Sequence, residues 1–191
     1  NPDQAQNPPQ DLGNRCFDFT PGPGEVLSLT VDNQFPGGDP RTIGYWKNWN
    51  QCTGGGQAAV AAKNGGAAAG FFLVEDLLPK LIGDFNVTLC QEAVKVLSKQ
   101  DQAGKNKAND AAYELAAQLL AAKLNLAAGA ETCDAVQTAK TNGQALLDQI
   151  SFTGSGDYLG PKVKGALLTQ RHPALALVHT LDVYNIGDLA L

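Results

Sequence analysis

The sequence predicts a mainly α-helical fold of about five helices around one central alanine- and leucine-rich helix, preceded by an N-terminal arm and a small β-hairpin. Three observations carry this expectation. Residues 109–129 (NDAAYELAAQLLAAKLNLAAG) form the longest run of strong helix formers without an internal Gly or Pro before the closing Gly129. Further stretches with helical periodicity follow on both sides of it, over 71–81, 90–99, 132–150 and 161–184. Strict alternation of apolar and polar residues is concentrated near the N-terminus, around a Pro/Gly loop.

Residues 1–15 (NPDQAQNPPQDLGNR) are polar and proline-rich. They offer little apolar surface to offset the entropy of ordering, so they read as an extended arm that needs its own domain or a neighbouring subunit to dock on. The reading draws that arm over 1–15 and one disulfide-stabilised helical domain over 16–191. Phe17 and Phe19 alternate with polar residues, as do Leu27, Leu29 and Val31, with Pro21-Gly22-Pro23-Gly24 between them. That pattern predicts a hairpin, whose edge takes either Phe85–Leu89 or a strand from another molecule.

After a turn-rich stretch, Tyr45, Trp46 and Trp49 fall within five positions. The Gly/Ala-rich 53–70 reads as loop with a helical turn or two, and 71–81 as a helix ending near Pro79. Residues 90–99 are amphipathic through Ala93, Val94 and Leu97. In the central helix Asn109 or Asp110 caps the first turn and Gly129 takes the left-handed position past the end. Leu115, Leu119 and Leu126 make one apolar strip and Tyr113, Leu120 and Leu124 a second, which leaves Glu114, Gln118 and Asn125 for water. Thr132 is placed to cap the next helix, which Gly143 weakens. Pro161 suits a first helical position, and Pro173 is expected to kink or break the last helix near His172.

Bulk composition excludes several classes. The 191 residues, 43% hydrophobic and 17% charged, suit one core, and a net charge of −5 with no basic stripe argues against a nucleic-acid partner. Lys105-Asn106-Lys107 reads as a solvated loop. No run approaches the ~18 apolar residues of a membrane span. The chain starts at Asn1 and contains no methionine, which reads as the product of processing. Its four cysteines lack zinc-type spacing and point to disulfides in an oxidising compartment, hence to a secreted protein.

Read from chemistry alone, Tyr45, Trp46 and Trp49 form either a knot in the core or a platform for stacking a ligand such as a surface glycan. The segment Gly44-Tyr45-Trp46-Lys47-Asn48 resembles the signature of a helical domain in bacterial secreted and surface-associated proteins. Ala-Ala-Lys-Leu-Asn at 121–125, Ala-Gly-Ala at 128–130 and Leu-Asp-Val-Tyr-Asn at 181–185 match as well, so that the resemblance runs over 41–187. The family often continues with His-Pro, where this chain has Trp49-Asn50, and relatives often end in a cysteine where this chain ends in Leu191. The resemblance implies an extracellular, non-enzymatic module with no catalytic set and no cofactor. With it goes one disulfide assignment among the three that four cysteines permit: Cys52–Cys90 within the helical part, and Cys16–Cys133 tying the hairpin to the loop after the central helix. Each bridge would contribute on the order of 3–4 kcal/mol.

Other chemistry is thinner. Lys123 falls in the apolar arc of the central helix and so needs a pairing partner, a snorkelling path or a crosslink to Asn or Asp. His172 and His179 lie two turns apart and share a helix face only if Pro173 leaves the helix intact; with Asp182 one turn beyond they still lack a third convincing metal ligand, and Asp32 and Asp39 lack a calcium-loop spacing. Asn86-Val87-Thr88 is a glycosylation sequon. The expected function is therefore a structural protein of the cell exterior, a self-assembling subunit of a filament or surface layer. In it the arm and hairpin (Asn1, Pro2, Pro8, Pro9, Leu27, Leu29 and Val31) contact other copies of the chain. The alternative is a carbohydrate- or ligand-binding module built on Tyr45, Trp46 and Trp49.

Overall fold

The computed structural model describes residues 10–11, 17–18, 39–54 and 56–187. The chain divides into two units, residues 1–33 with Leu191, and residues 34–190. In the first, β1 (Gln10–Asp11) and β2 (Phe17–Asp18) pair antiparallel, Gln10 opposite Asp18 and Asp11 opposite Phe17. A small antiparallel hairpin is present as the sequence predicts, with Phe17–Asp18 as one strand and Gln10–Asp11, residues the sequence assigns to the arm, as the other. A short connection closes at low entropic cost and favours the nearer partner. Leu27, Leu29 and Val31 lie outside the described residues, as do Asn1, Pro2, Pro8 and Pro9.

The second unit is mainly helical, as the sequence predicts. Its elements are α1 (Ile43–Asn48), α2 (Gln57–Lys63), 3-10 turns at Gly66–Ala69 and Val74–Leu77, the strands β3 (Lys80–Ile82) and β4 (Phe85–Val87), then α3 (Cys90–Leu97), α4 (Ala111–Ala127), α5 (Asp134–Gln149) and α6 (Ala166–Asn185). The core surrounds α4, which contacts α1, α3, α5, α6 and β3. Thirteen of its seventeen residues are buried, so it is a core helix on all sides rather than an amphipathic one.

Both ends of α4 form as the sequence predicts. The Asp110 carboxylate accepts from the Ala112 amide at 3.0 Å, and also from the amides of Tyr158 and Leu159 at 2.9 Å each, which ties the 152–159 loop to the helix N-terminus. At the far end Gly129 is left-handed (φ 89°). The Ala130 amide reaches the Asn125 carbonyl and the Gly129 amide the Leu126 carbonyl, the paired bonds of a Schellman stop.

Several expectations are corrected. The helix over 71–81 is replaced by the turn at Val74–Leu77 and by β3, because the residue before Pro79 is pushed out of helical geometry and holds an extended backbone (ψ 159°). Phe85–Val87 then pairs with Lys80–Ile82 across a turn that begins at Gly83 (φ 58°). The aromatic motif is itself a helix, α1, started by Thr42, whose hydroxyl accepts from the Tyr45 amide at 3.0 Å. α5 is capped at Cys133 instead of Thr132. Its Gly143 is buried against α4, where an added Cβ would sit 3.4 Å from Leu115, so the glycine serves close helix approach. α6 begins at Ala166 and runs without interruption through Pro173. Thr169, whose carbonyl Pro173 deprives of a helical donor, is exposed, so water can satisfy it.

Candidate functional site

One signature residue of the aromatic motif, Trp46, joins Arg41 and side chains of α4 and α6 inside the body. Trp46 is 1% exposed and its indole Nε1 donates to Asn125 Oδ1 at 2.9 Å. The same oxygen accepts from the Arg41 amide at 2.9 Å, while Asn125 Nδ2 donates to the Arg41 carbonyl (2.9 Å) and to Asn185 Oδ1 (2.8 Å). Asn185 Nδ2 then donates to the backbone carbonyl of Gln118 (3.0 Å) and to its side-chain oxygen (2.8 Å). Gln118 Nε2 completes the chain by donating to Asp182 at 2.6 Å. Asn125 and Asn185 are each 1% exposed, so every bond replaces water that the site has lost.

Gln118 and Asn125, which helical periodicity assigns to water, are instead 4% and 1% exposed. They lie seven residues apart and therefore share one face of α4. Polar residues on one stripe of an otherwise apolar helix signal a buried network as well as they signal solvent. α6 faces that stripe with Asp182 and Asn185 and supplies the partners.

Outside this interior lock lies a ladder of rings. The Arg41 guanidinium lies 4.5 Å from the centre of the Tyr45 ring, Tyr45 stacks on Trp49 at 4.7 Å, and Trp49 on Phe71 at 6.2 Å, both pairs at 16°. Tyr45 and Trp49 are half-buried, whereas Trp46 is in the core and meets Tyr45 edge-on. Burial raises the Tyr45 phenol pKa, opposed by Arg41. Of the three residues expected as a platform, one is therefore inside, and the other two present ring faces that already have stacking partners.

Cys52 and Cys90 are bridged, with Cα atoms 6.0 Å apart, which fastens the end of the aromatic segment to the start of α3. Beside the bridge, buried Asn50 accepts from the amide and hydroxyl of Thr53 at 2.9 Å each. Of the second expected bridge, Cys16 lies outside the described residues, and Cys133 is a free, half-buried thiol at the N-terminus of α5.

Lys123 Nζ donates to the Leu81 carbonyl and to Gln144 Oε1, each at 2.6 Å. Burial lowers its pKa to about 8, a shift that Asp148 only partly opposes. Its bonding partners are thus a backbone carbonyl and a glutamine, neither an ion pair nor an Asn or Asp. Lys107 also departs from its expected solvated loop: it is 8% exposed, bonded to Asp157, and 3.8 Å from Asp101. His172 and His179 are exposed on α6, and Asp182 is taken by Gln118. Among the described residues no three His, Cys, Asp or Glu side chains are grouped to hold a metal, and no helix is long and apolar enough to cross a membrane.

No family model, curated protein or solved structure matches the chain.

Proposed function

We propose that this chain is a secreted, non-enzymatic structural protein, a self-assembling subunit of an extracellular filament or surface layer whose N-terminal arm contacts a neighbouring subunit. The observation that carries the reading is the interior lock. The residues that would mark a working site (Trp46, Gln118, Asn125, Asp182 and Asn185) are bonded to one another inside the body, which serves rigidity. A helical body stapled by Cys52–Cys90 suits an oxidising exterior. The polar, proline-rich 1–15 segment supplies a connector with little apolar surface of its own.

A glycan platform at Tyr45, Trp46 and Trp49 has less support, because a sugar needs an open ring face and these rings stack on Arg41 and Phe71. Sedimentation velocity of the full chain against a chain lacking residues 1–15, with electron microscopy of both, tests the assembly reading. The full chain is expected to form concentration-dependent assemblies and the shortened chain to remain a folded monomer. Unchanged assembly after the deletion would remove the arm from the reading.

A further inference from the structure

We propose that Asn86 on the β3–β4 hairpin carries an N-linked glycan, and that this sugar covers the apolar outer face of the hairpin. The inference rests on the reading of the chain as a secreted protein and adds a modification site to it.

Asn86-Val87-Thr88 is the only place in the chain where an asparagine is followed two residues later by Ser or Thr. That spacing is the acceptor pattern of N-glycosylation, which requires a surface position. β4 supplies one: Phe85 is half-buried, Asn86 exposed and Val87 fully buried, the alternation of a strand with one face on the core. Thr88 continues the outward side and is exposed too. Its hydroxyl bond to Glu92 is long, at 3.3 Å against about 2.5–3.0 Å for a firm O–H···O bond, so the hydroxyl is easily released. Among the described residues the Asn86 carboxamide has no hydrogen-bond partner, unlike that of Asn125, which is bonded through both its atoms.

The surroundings of Asn86 need a cover. The two most exposed large apolar side chains among the described residues, Leu89 at 58% and Leu81 at 51%, both flank it. Leu81 stands directly opposite Asn86 in the register of β3 and β4, and Leu89 follows three residues on. Side chains of such an opposed pair share one face, with Cβ atoms about 4.5–5.5 Å apart. The sheet has only these two strands, and β3 also contacts α4, so β4 is left as an edge strand. An edge strand beside exposed leucines invites another chain to pair with it, and a bulky, solvating group in the middle of that strand prevents this.

The donor required is a sugar joined through its anomeric carbon to a lipid pyrophosphate, transferred by a membrane-bound glycosyltransferase. Nδ2 of Asn86 forms the bond to the anomeric carbon and gives up one proton to a base of the transferase. The bond from that carbon to the pyrophosphate oxygen breaks, and the lipid pyrophosphate leaves with the electron pair. No oxidant or reductant is involved.

The test recovers the chain from its own cells, separates material outside the cells from material within, reduces and digests it with trypsin, and weighs the peptide of residues 81–95. Expected is a sugar mass increment on the exported peptide, localised to Asn86 by fragmentation. Asn86→Gln and Thr88→Ala are expected to abolish the increment, and Thr88→Ser to keep it. The bare Asn86→Gln chain is expected to bind about twofold more anilinonaphthalene sulfonate than the native chain at unchanged melting temperature, and Leu81→Ser added to it to reverse the gain. An exported chain whose 81–95 peptide has its bare mass would overturn the proposal and leave secretion standing. An increment that survives Asn86→Gln would place the sugar elsewhere and overturn it as well. Equal dye binding by native and Asn86→Gln chains would overturn the covering of the leucines. A chain found only inside the cells, with a bare peptide, would overturn both the glycan and the secreted reading.

Discussion

The indole nitrogen of Trp46 and the side-chain oxygen of Asn125 are joined by a 2.9 Å hydrogen bond between residues 79 positions apart. Through it the short α1 is fixed to the central helix, and through Asn125 to Asn185 near the end of α6. From its place on α4, one carboxamide thereby bonds to partners from two other segments, Arg41 with Trp46 and Asn185.

Asn125→Ala should be among the most damaging single changes. It strands the Trp46 indole and the Asn185 oxygen in a site closed to water, and removes the partner of both backbone groups of half-buried Arg41. At about 1–3 kcal/mol for each unsatisfied group, with partial relaxation, the expected loss is about 3–5 kcal/mol. That corresponds to roughly 8–15 °C in melting temperature for a chain of this size. Trp46→Phe keeps an aromatic ring but leaves the Asn125 oxygen with one donor fewer and a small cavity in the core, so it should cost about 2–3 kcal/mol, less than Asn125→Ala. Thermal melts of the two variants decide the matter, and equal losses would deny the network its role.

Gly83 and Gly104 both hold left-handed backbone, at φ 58° and 85°, but differ in their surroundings. An added Cβ at Gly83 would lie 2.8 Å from the Phe152 carbonyl oxygen and 2.9 Å from its Cβ, whereas at Gly104 it meets nothing within 4 Å. Gly104→Ala should therefore cost only the conformational penalty, about 1 kcal/mol. Gly83→Ala adds a clash with fixed backbone and should cost about 3 kcal/mol or more. Denaturant midpoints of both variants measure the difference directly.

Reduction of the Cys52–Cys90 bridge opens a loop of sequence separation 38. The unfolded chain regains entropy worth about 4 kcal/mol at that loop length, so the urea midpoint should fall sharply with reductant. In the folded, unreduced protein a thiol reagent should label Cys133 and leave Cys52 and Cys90 untouched. Labelling at either bridged position before reduction would contradict the assigned pairing.

Lys123 makes stability rise with pH over an alkaline window. Its folded pKa, about 8, lies below the 10.5 of an unperturbed lysine because burial disfavours the ammonium. The folded state therefore carries a penalty that is full below pH 8 and vanishes as pH climbs past 10.5, where both states are neutral. The neutral amine still has two N–H groups for Leu81 and Gln144. The stability of the native chain relative to Lys123→Met should increase between pH 8 and 10.5, and taking that difference cancels the titration of the tyrosines. A flat difference in urea titrations across the window would reject the buried-amine account.

Sequence alone determined what depends on neighbours along the chain. The central helix, its Asp110 cap and its Gly129 stop follow from propensity and end chemistry that act within a few residues, and each forms where it is read. Cys52–Cys90 was legible through the family-like signature. Tertiary structure decided every question whose answer lay far away in the chain. Gln118 and Asn125 read as solvent-facing because their partners, Asn185, Trp46 and Arg41, stand 60 to 84 positions off. Lys107 turned inward because Asp157, fifty residues later, meets it there. Pro173 stayed within one helix because the carbonyl it leaves unpaired borders an open cleft. A polar group is buried only where a distant partner replaces its water, and the periodicity of a helix records which face it occupies but not what arrives to meet that face.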